Sequence, residues 1–282
     1  MSIQRLGIVG SGIMGSGIAE VAAKSGVEVI LRSRQRSSAD AMVTSLEKSL
    51  AKQVERGKLE EAAAKEIAAR VSATDDLHAL HDCDLVIESV VEDLAVKREL
   101  FTRLDDIVKP EGIIATNTST LPVVELAVAT ERPDKVVGIH FFNPAPMMKL
   151  VEVIAPLTAS PETVEAAKAF AAACGKDVVE VKDRAGFIVN ALLFPYLNNA
   201  VRMLESGTAS RDDIDTAMKG GCNFPMGPLA LLDLVGLDTS LSILDALYAE
   251  FRDPNYAAMP LLRRMVAAGQ LGRKSGSGFY SY

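Results

Sequence analysis

The stretch LGIVGSGIMGSGIAE, residues 6–20, carries the strongest local signal in this chain of 282 residues. Leu6 to Val9 read as a strand, and Gly10-Ser11-Gly12-Ile13-Met14-Gly15 follows directly and opens a helix, the setting that a G-x-G-x-x-G match requires. The first glycine of such a turn permits a tight bend, the second lets backbone approach a pyrophosphate, and the third packs helix against strand. The helix N-terminus then holds the phosphates. Glycines in an ordinary surface turn are the plain alternative, but the strand before and the helix after favour a dinucleotide cofactor.

From this unit the alternation of apolar runs with amphipathic segments continues through the first half, the βαβ pattern of a parallel sheet with helices on both faces. Expected strands are Leu6 to Val9, Val27 to Leu31, Asp84 to Val90, Ile113 to Thr116, Val136 to Phe141, Leu150 to Ile154 and one near Val178 to Val181. Between the second and third lies a segment too long for an ordinary loop and rich in Ala, Leu, Glu and Lys. Ser38 to Gly57 and Leu59 to Arg70 are therefore expected as an inserted helical hairpin broken at Gly57. After Asp183 the alternation stops, and apolar periodicity predicts helices over Phe187 to Leu204, Asp212 to Met218, Leu229 to Leu234, Ser240 to Phe251 and Pro260 to Ala268. The expectation is an α/β doubly wound sheet over residues 1–183, followed by an all-helical C-terminal domain over residues 186–282.

Hydrophobic residues make up 49% and charged residues 24% of the chain, which argues against disorder or a bare coiled coil. No apolar stretch is long enough to cross a bilayer, and the N-terminus begins a strand pattern rather than a signal peptide, so a cytoplasmic protein is expected. Cys83, Cys174 and Cys222 have neither disulfide nor metal-ligand spacing and read as small core residues. Thirty basic residues against 37 acidic ones, a net charge of −7, make a nucleic-acid surface improbable. An anionic substrate would need a local basic site. Lys48, Lys52 and Arg56, spaced four apart, put three positive charges on one face of the hairpin, either as a solvated face or as a handle for phosphates.

Dinucleotide sites of this kind usually place an acid at the end of the second strand, where it accepts hydrogen bonds from the adenosine ribose. Here Ser33 stands there, followed by Arg34. A hydroxyl among guanidinium groups suits a 2′-phosphate that a carboxylate would repel, so NADP(H) is expected over NAD(H). NAD(H) stays open if the arginines merely end a solvated strand.

Three polar elements interrupt the apolar pattern: Asn117-Thr118-Ser119-Thr120, His140-Phe141-Phe142-Asn143-Pro144, and Asn190 within GFIVNALL. The first two follow strands, and ligands of open α/β sheets gather beyond strand carboxyl ends. Among the three histidines, His140 alone follows an apolar strand, and imidazole suits proton removal from an alcohol near neutral pH. Glu152, on the next strand, could orient its ring. A lone histidine here could be structural; the neighbouring polar elements favour chemistry.

GSGIMGSGIAE, LVIESVVED, TNTSTLP, GIHFFNPAPMMKLVEVI, DRAGFIVNALL, FPMGPL, DLVGLD and GQLGRKSGSGFY stand in the order of the sequence blocks of the bacterial short-chain 3-hydroxyacyl-CoA dehydrogenases, which the chain resembles over essentially its whole length. The resemblance implies a Rossmann-type domain joined to a helical dimerisation domain, and hence a homodimer. It also implies that His140 is the base and Glu152 its partner, with Ser119 and Asn190 holding the reacting oxygen and the thioester end. Glu92, Lys97, Ser119, Asn143 and Lys274 match positions that contact the nicotinamide cofactor, and Lys52 and Arg56 positions that meet CoA phosphates. Arg56 stands for a frequent lysine, Thr120 for a common serine, and Ser33 for the usual aspartate.

The reaction implied by the resemblance is interconversion of an (S)-3-hydroxyacyl-CoA with a 3-oxoacyl-CoA, short acyl chains preferred, with hydride exchanged with the nicotinamide. A dehydrogenase of a free hydroxy or sugar acid on the same plan is one alternative. A non-enzymatic dinucleotide-binding protein is the other, since fold does not imply function.

Overall fold

Short runs of Leu, Ile and Val form the strands of the first half because such side chains pack on both faces of a sheet covered above and below by helices. The computed structural model describes residues 2–282, which divide between Asp183 and Arg184 into two compact units. The first runs β1 (Arg5–Val9), α1 (Ile13–Lys24), β2 (Glu28–Arg32), α2 (Arg36–Glu55), α3 (Glu61–Ala69), β3 (Val71–Thr74), β4 (Leu85–Glu88), α4 (Leu94–Ile107), β5 (Ile113–Thr116), α5 (Val123–Ala127), β6 (Val136–Phe141), β7 (Leu150–Ala155), α6 (Pro161–Ala173) and β8 (Asp177–Lys182). All eight strands join one sheet in the order β3-β2-β1-β4-β5-β6-β7-β8. The strand order reverses beside β1, which opens a crevice over the carboxyl ends of β1 and β4.

Two features depart from the expected sheet. Val71–Thr74 is a strand that the apolar pattern does not predict; VSAT is short and only its valine is buried, and pairing with β2 from Val29↔Val71 to Arg32↔Thr74 makes it the sheet edge. The sheet is also not parallel throughout, because β7 runs antiparallel to β6 and β8 follows β7. Residues 142–149, which connect β6 to β7, are too few for the dozen or so that a parallel crossover needs. The fourth expected strand, Ile113 to Thr116, and the fifth, Val136 to Phe141, form as read, whereas the third stops at Glu88 and leaves Ser89 and Val90 in the connection to α4.

The hairpin of α2 and α3 breaks where expected, with Gly57 in the left-handed region at φ +64°. Met42, Leu46, Leu50 and Ile67 bury its inner face in the core that also holds Leu6, Ile8 and Leu31. A polar clamp reinforces this docking: the carboxylate of Glu20 on α1, 2% exposed, accepts from Lys24 at 2.6 Å and from Gln53 of α2 at 2.8 Å. Burial pushes the Glu20 carboxyl up, but hydrogen bonds from Lys24, Ser49 and Gln53 outweigh that and hold it below the ordinary value.

The second unit is helical: α7 (Val189–Glu205), α8 (Arg211–Cys222), α9 (Pro228–Val235), α10 (Leu237–Phe251) and α11 (Pro260–Ala267). Phe194, Leu197, Val201, Leu229, Leu232, Leu244 and Leu262 form its core. Two buried carboxylates organise it. Asp215 of α8 accepts from the N–H groups of Leu229 and Ala230, capping α9, and from the Tyr280 hydroxyl. Asp233 accepts from the N–H groups of Phe279 and Tyr280, which pins the C-terminal segment.

The cysteines are all free, and reading them as core residues fits Cys83 alone; Cys174 is half-buried, and Cys222, the last residue of α8, is exposed. Burial pushes the Cys83 thiol up to about 12, so it is inert.

Asp215→Ala strands two helix-start N–H groups and a phenol. Urea unfolding is expected to show a loss of about 2–4 kcal/mol, summing a lost cap and an unpaired buried hydroxyl; a loss under 0.5 kcal/mol would contradict the capping role.

Candidate active site

The crevice begins at the glycine turn. Gly10 has φ +136°, and a Cβ there would lie 2.2 Å from the Ser89 carbonyl oxygen, so neither backbone nor space admits another residue. At Gly15 a Cβ would lie 2.7 Å from the Gly10 carbonyl oxygen, which accounts for the third glycine as a close helix contact. A Cβ on Gly12 would meet nothing within 4 Å: the second glycine faces open space. Gly12 is the N-cap of α1, and no side chain caps the first-turn N–H groups. That is the cradle a pyrophosphate fits. Ile13 is 78% exposed and the Met14 side chain packs on the core, so these two residues can offer a phosphate only backbone N–H.

Beside the turn lies a cavity of about 730 Å³ with Gly10, Ser33, Arg34, Val90 and Leu100 in its walls. Ser33 is 6% exposed at the end of β2, and Arg34 is exposed. Arg32 and Arg103 also line the cavity; Arg103 was missed in the sequence because it comes from α4, far along the chain. Its spacing of three, four and seven residues from Leu100, Glu99 and Val96, all lining residues, is the signal that could have found it.

A second constellation sits at the carboxyl ends of β5 and β6. The antiparallel register pairs His140 with Glu152, and His140 Nδ1 lies 2.8 Å from Glu152 Oε2. Glu152 is fully buried and His140 is 4% exposed. A carboxylate only accepts, so Nδ1 carries the proton and Nε2 presents its lone pair. That nitrogen lies 3.1 Å from the Ser119 hydroxyl, and the Phe142 ring packs against the imidazole at 4.5 Å between centroids. Asn117 Oδ1 accepts from the Phe141 N–H at 2.8 Å, tying the Ser119 loop to the strand that carries His140.

The same loop is held from its other side by buried charge. Lys97 is 1% exposed, with Nζ 2.6 Å from Glu88 Oε1 and 3.3 Å from Glu92 Oε2. Glu88 also accepts from the Thr116 hydroxyl at 2.8 Å and the Val90 N–H at 2.6 Å. Glu92 Oε1 accepts from the Thr118 hydroxyl and, at 2.9 Å, from the Ser119 N–H. Burial would raise the Glu92 carboxyl, but Lys97 and the donors of Thr118 and Ser119 outweigh it and hold it below the ordinary value. Sequence reasoning passed over Glu88; an acid ending the apolar run Leu85-Val86-Ile87 was the available sign.

The first unit thus brings Ser119, His140, Glu152 and Glu92 together, with Asn143 exposed just beyond β6. Asn190, 8% exposed, lies in the first turn of α7, and Lys274 donates to Asp238 at 2.6 Å; both belong to the second unit. On α2, Lys48 and Lys52 are exposed one turn apart and Arg56 is the C-cap; none of the three makes an ion pair among the described residues. No cluster of His, Cys, Asp or Glu suited to a metal is present among the described residues, and no helix is long and apolar enough to cross a membrane.

Residues 5–184 match the family model of the 3-hydroxyacyl-CoA dehydrogenase NAD binding domain, and residues 186–282 match the C-terminal domain of the same family. The 3-hydroxybutyryl-CoA dehydrogenase of Clostridioides difficile is 48% identical over 278 residues, 99% of either chain. The mitochondrial hydroxyacyl-coenzyme A dehydrogenase of Homo sapiens is 43% identical over 287 residues, 99% of this chain and 91% of that one. Among solved structures, the (S)-3-hydroxybutyryl-CoA dehydrogenase of Ralstonia eutropha superposes with a TM-score of 0.97 at 42% identity, over 100% of this chain and 99% of the other.

Lys97→Met leaves Glu88 buried without its counter-charge. The unfolding free energy in urea is expected to fall by about 3–5 kcal/mol; a variant as stable as the parent would show that the pair carries no weight.

Proposed function

The chain belongs to the 3-hydroxyacyl-CoA dehydrogenase family and so is a nicotinamide-dependent oxidoreductase acting on CH–OH, and we propose that it interconverts (S)-3-hydroxybutyryl-CoA and acetoacetyl-CoA. The observation that carries this reading is the chain Ser119–His140–Glu152, with an imidazole lone pair facing a hydroxyl. A bound nicotinamide supplies the acceptor for the hydride that leaves C3, and donates it in reduction. His140 Nε2 takes the proton of the 3-hydroxyl as the C3–H bond breaks, and returns it to that oxygen in reduction. Buried Glu152 stabilises the imidazolium that forms, because its negative charge is already aligned on Nδ1–H. Ser119 donates to the reacting oxygen where charge develops. We assign Asn190 to the thioester end of the substrate, and Glu92, Lys97, Asn143 and Lys274 to the cofactor, on the family pattern. Lys97, buried between two carboxylates, acts there by positioning Glu92.

NADP(H) is the favoured cofactor. Supporting it are the absence of a carboxylate at the end of β2, the buried Ser33 in its place and the guanidinium groups around the cavity. Unpaired Lys48, Lys52 and Arg56 support a CoA phosphate handle on α2 in a chain whose net charge is −7. Residues 1–183 would act as the cofactor domain and 186–282 as the substrate and dimerisation domain. A homodimer is favoured by Leu192 and Met203, side chains of α7 left 73% and 43% exposed. We assign the protein to the cytoplasm, with no nucleic-acid or membrane partner.

The test is a spectrophotometric assay of acetoacetyl-CoA with NADPH and NADH; inactivity with both overturns the assignment, and a strong NADH preference overturns the cofactor reading. His140→Ala is expected to lower kcat by roughly 10²–10⁴-fold, with cofactor Kd, from nucleotide fluorescence, nearly unchanged. Replacing Lys52 and Arg56 by Ala should raise KM for acetoacetyl-CoA more than for its pantetheine analogue, and equal effects would remove the phosphate handle.

A further inference from the structure

Three guanidinium groups share the cavity beside the glycine turn, two from the end of β2 and one from α4, and the carboxylate among its lining residues is Glu99. They lie close enough to act on each other: burial chiefly, then the charges of Arg103 and Arg34, makes the Arg32 guanidinium easier to deprotonate, while Asp75 and Asp76 pull the other way. Arg32 spends Nε on the Asp75 carbonyl oxygen at 3.3 Å. Arg34 and Arg103 make no ion pair among the described residues, and Arg103 leaves Glu99, one turn before it, unpaired. Gathering like charges in a concave site is unfavourable unless an anion is to enter it.

The α4 face explains where that anion belongs. Val96 and Leu100 stand with Glu99 and Arg103 at helical spacing, and Val91 adds an apolar surface that is 64% exposed. An apolar floor beside a phosphate-binding turn suits an adenine ring, and the ribose then lies toward Ser33. We propose that Arg103 completes, with Arg34, a site for the 2′-phosphomonoester of an adenine nucleotide and is a specificity-determining residue for the cofactor. This rests on the NADP(H) reading and extends it to a residue of α4, outside the strand end from which that reading comes. Guanidinium is suited to the task, because its planar fork gives a dianionic phosphate two aligned N–H donors while an ammonium gives one point charge.

Calorimetric titration of the full chain with 2′,5′-ADP and with 5′-AMP tests it. The parent is expected to bind 2′,5′-ADP at least about tenfold more tightly than 5′-AMP, the scale of one charge-assisted hydrogen-bond pair. Arg103→Gln should cut that ratio by roughly tenfold, with 5′-AMP affinity and thermal midpoint held, and Arg103→Lys should recover part of it. The kcat/KM ratio of NADPH to NADH should fall in step. If Arg103→Gln leaves the ratio intact while Arg34→Gln collapses it, the Arg103 assignment fails and the cofactor reading stands. If both nucleotides weaken equally in Arg103→Gln, the residue serves the adenine and the proposal fails. A parent that binds the two nucleotides alike overturns the proposal and the NADP(H) reading together.

Discussion

A carboxylate with no solvent exposure must find a hydrogen-bonded partner or give up its charge, and the arrangement around Glu152 follows from that requirement. Its partner is the Nδ1–H of His140, directly opposite in the β6–β7 register. The pairing exists only because the chain turns back after residues 142–149 and lays β7 antiparallel on β6. A one-residue slip would send every side chain of β7 to the opposite face and take Glu152 away from the ring of His140. Fixing the ring on one side determines what the other nitrogen can do. Nε2 is presented toward Ser119, on the loop after the neighbouring strand β5.

That loop is held as firmly as the ring. Asn117 ties it to Phe141, and Glu92 accepts from the backbone of Ser119. Glu92 is itself steadied by Lys97, whose second partner is the buried Glu88 at the end of β4. Buried ion pairs seldom add much stability over apolar packing, but breaking one is costly, so such a network resists distortion. The charges of β4 and α4 therefore contribute geometry to a site whose His140–Glu152 pair lies on β6 and β7.

The nucleotide end obeys a different constraint, the exclusion of atoms. Gly10 and Gly15 are dictated by close backbone contacts, whereas Gly12 faces open space at an uncapped helix start. Charge there is local rather than global. A chain of net charge −7 gathers three arginines about one cavity and three further cations on α2. Overall composition speaks to solubility and broad partners, while a single anionic group is selected by the few charges within reach of it.

Whatever depends on neighbours along the chain was legible in the sequence. The glycine spacing, the period-two and period-3.6 apolar patterns, the break at Gly57 and the switch to helices after Asp183 are local properties, and they reproduced most elements to within a few residues. His140 and Ser119 could also be singled out, because polar residues at the ends of apolar strands are conspicuous, and Glu152 because an acid inside the apolar run of the next strand is equally so. Pairing across the chain decided the rest. The edge strand Val71–Thr74 exists through its contact with β2, β7 reverses because its connection is short, Glu88 matters through Lys97, and Arg103 reaches the cavity from a distant helix. A linear pattern records which face of an element is apolar. It does not record which other element that face or its charges will meet, because that is settled by the packing of the whole sheet.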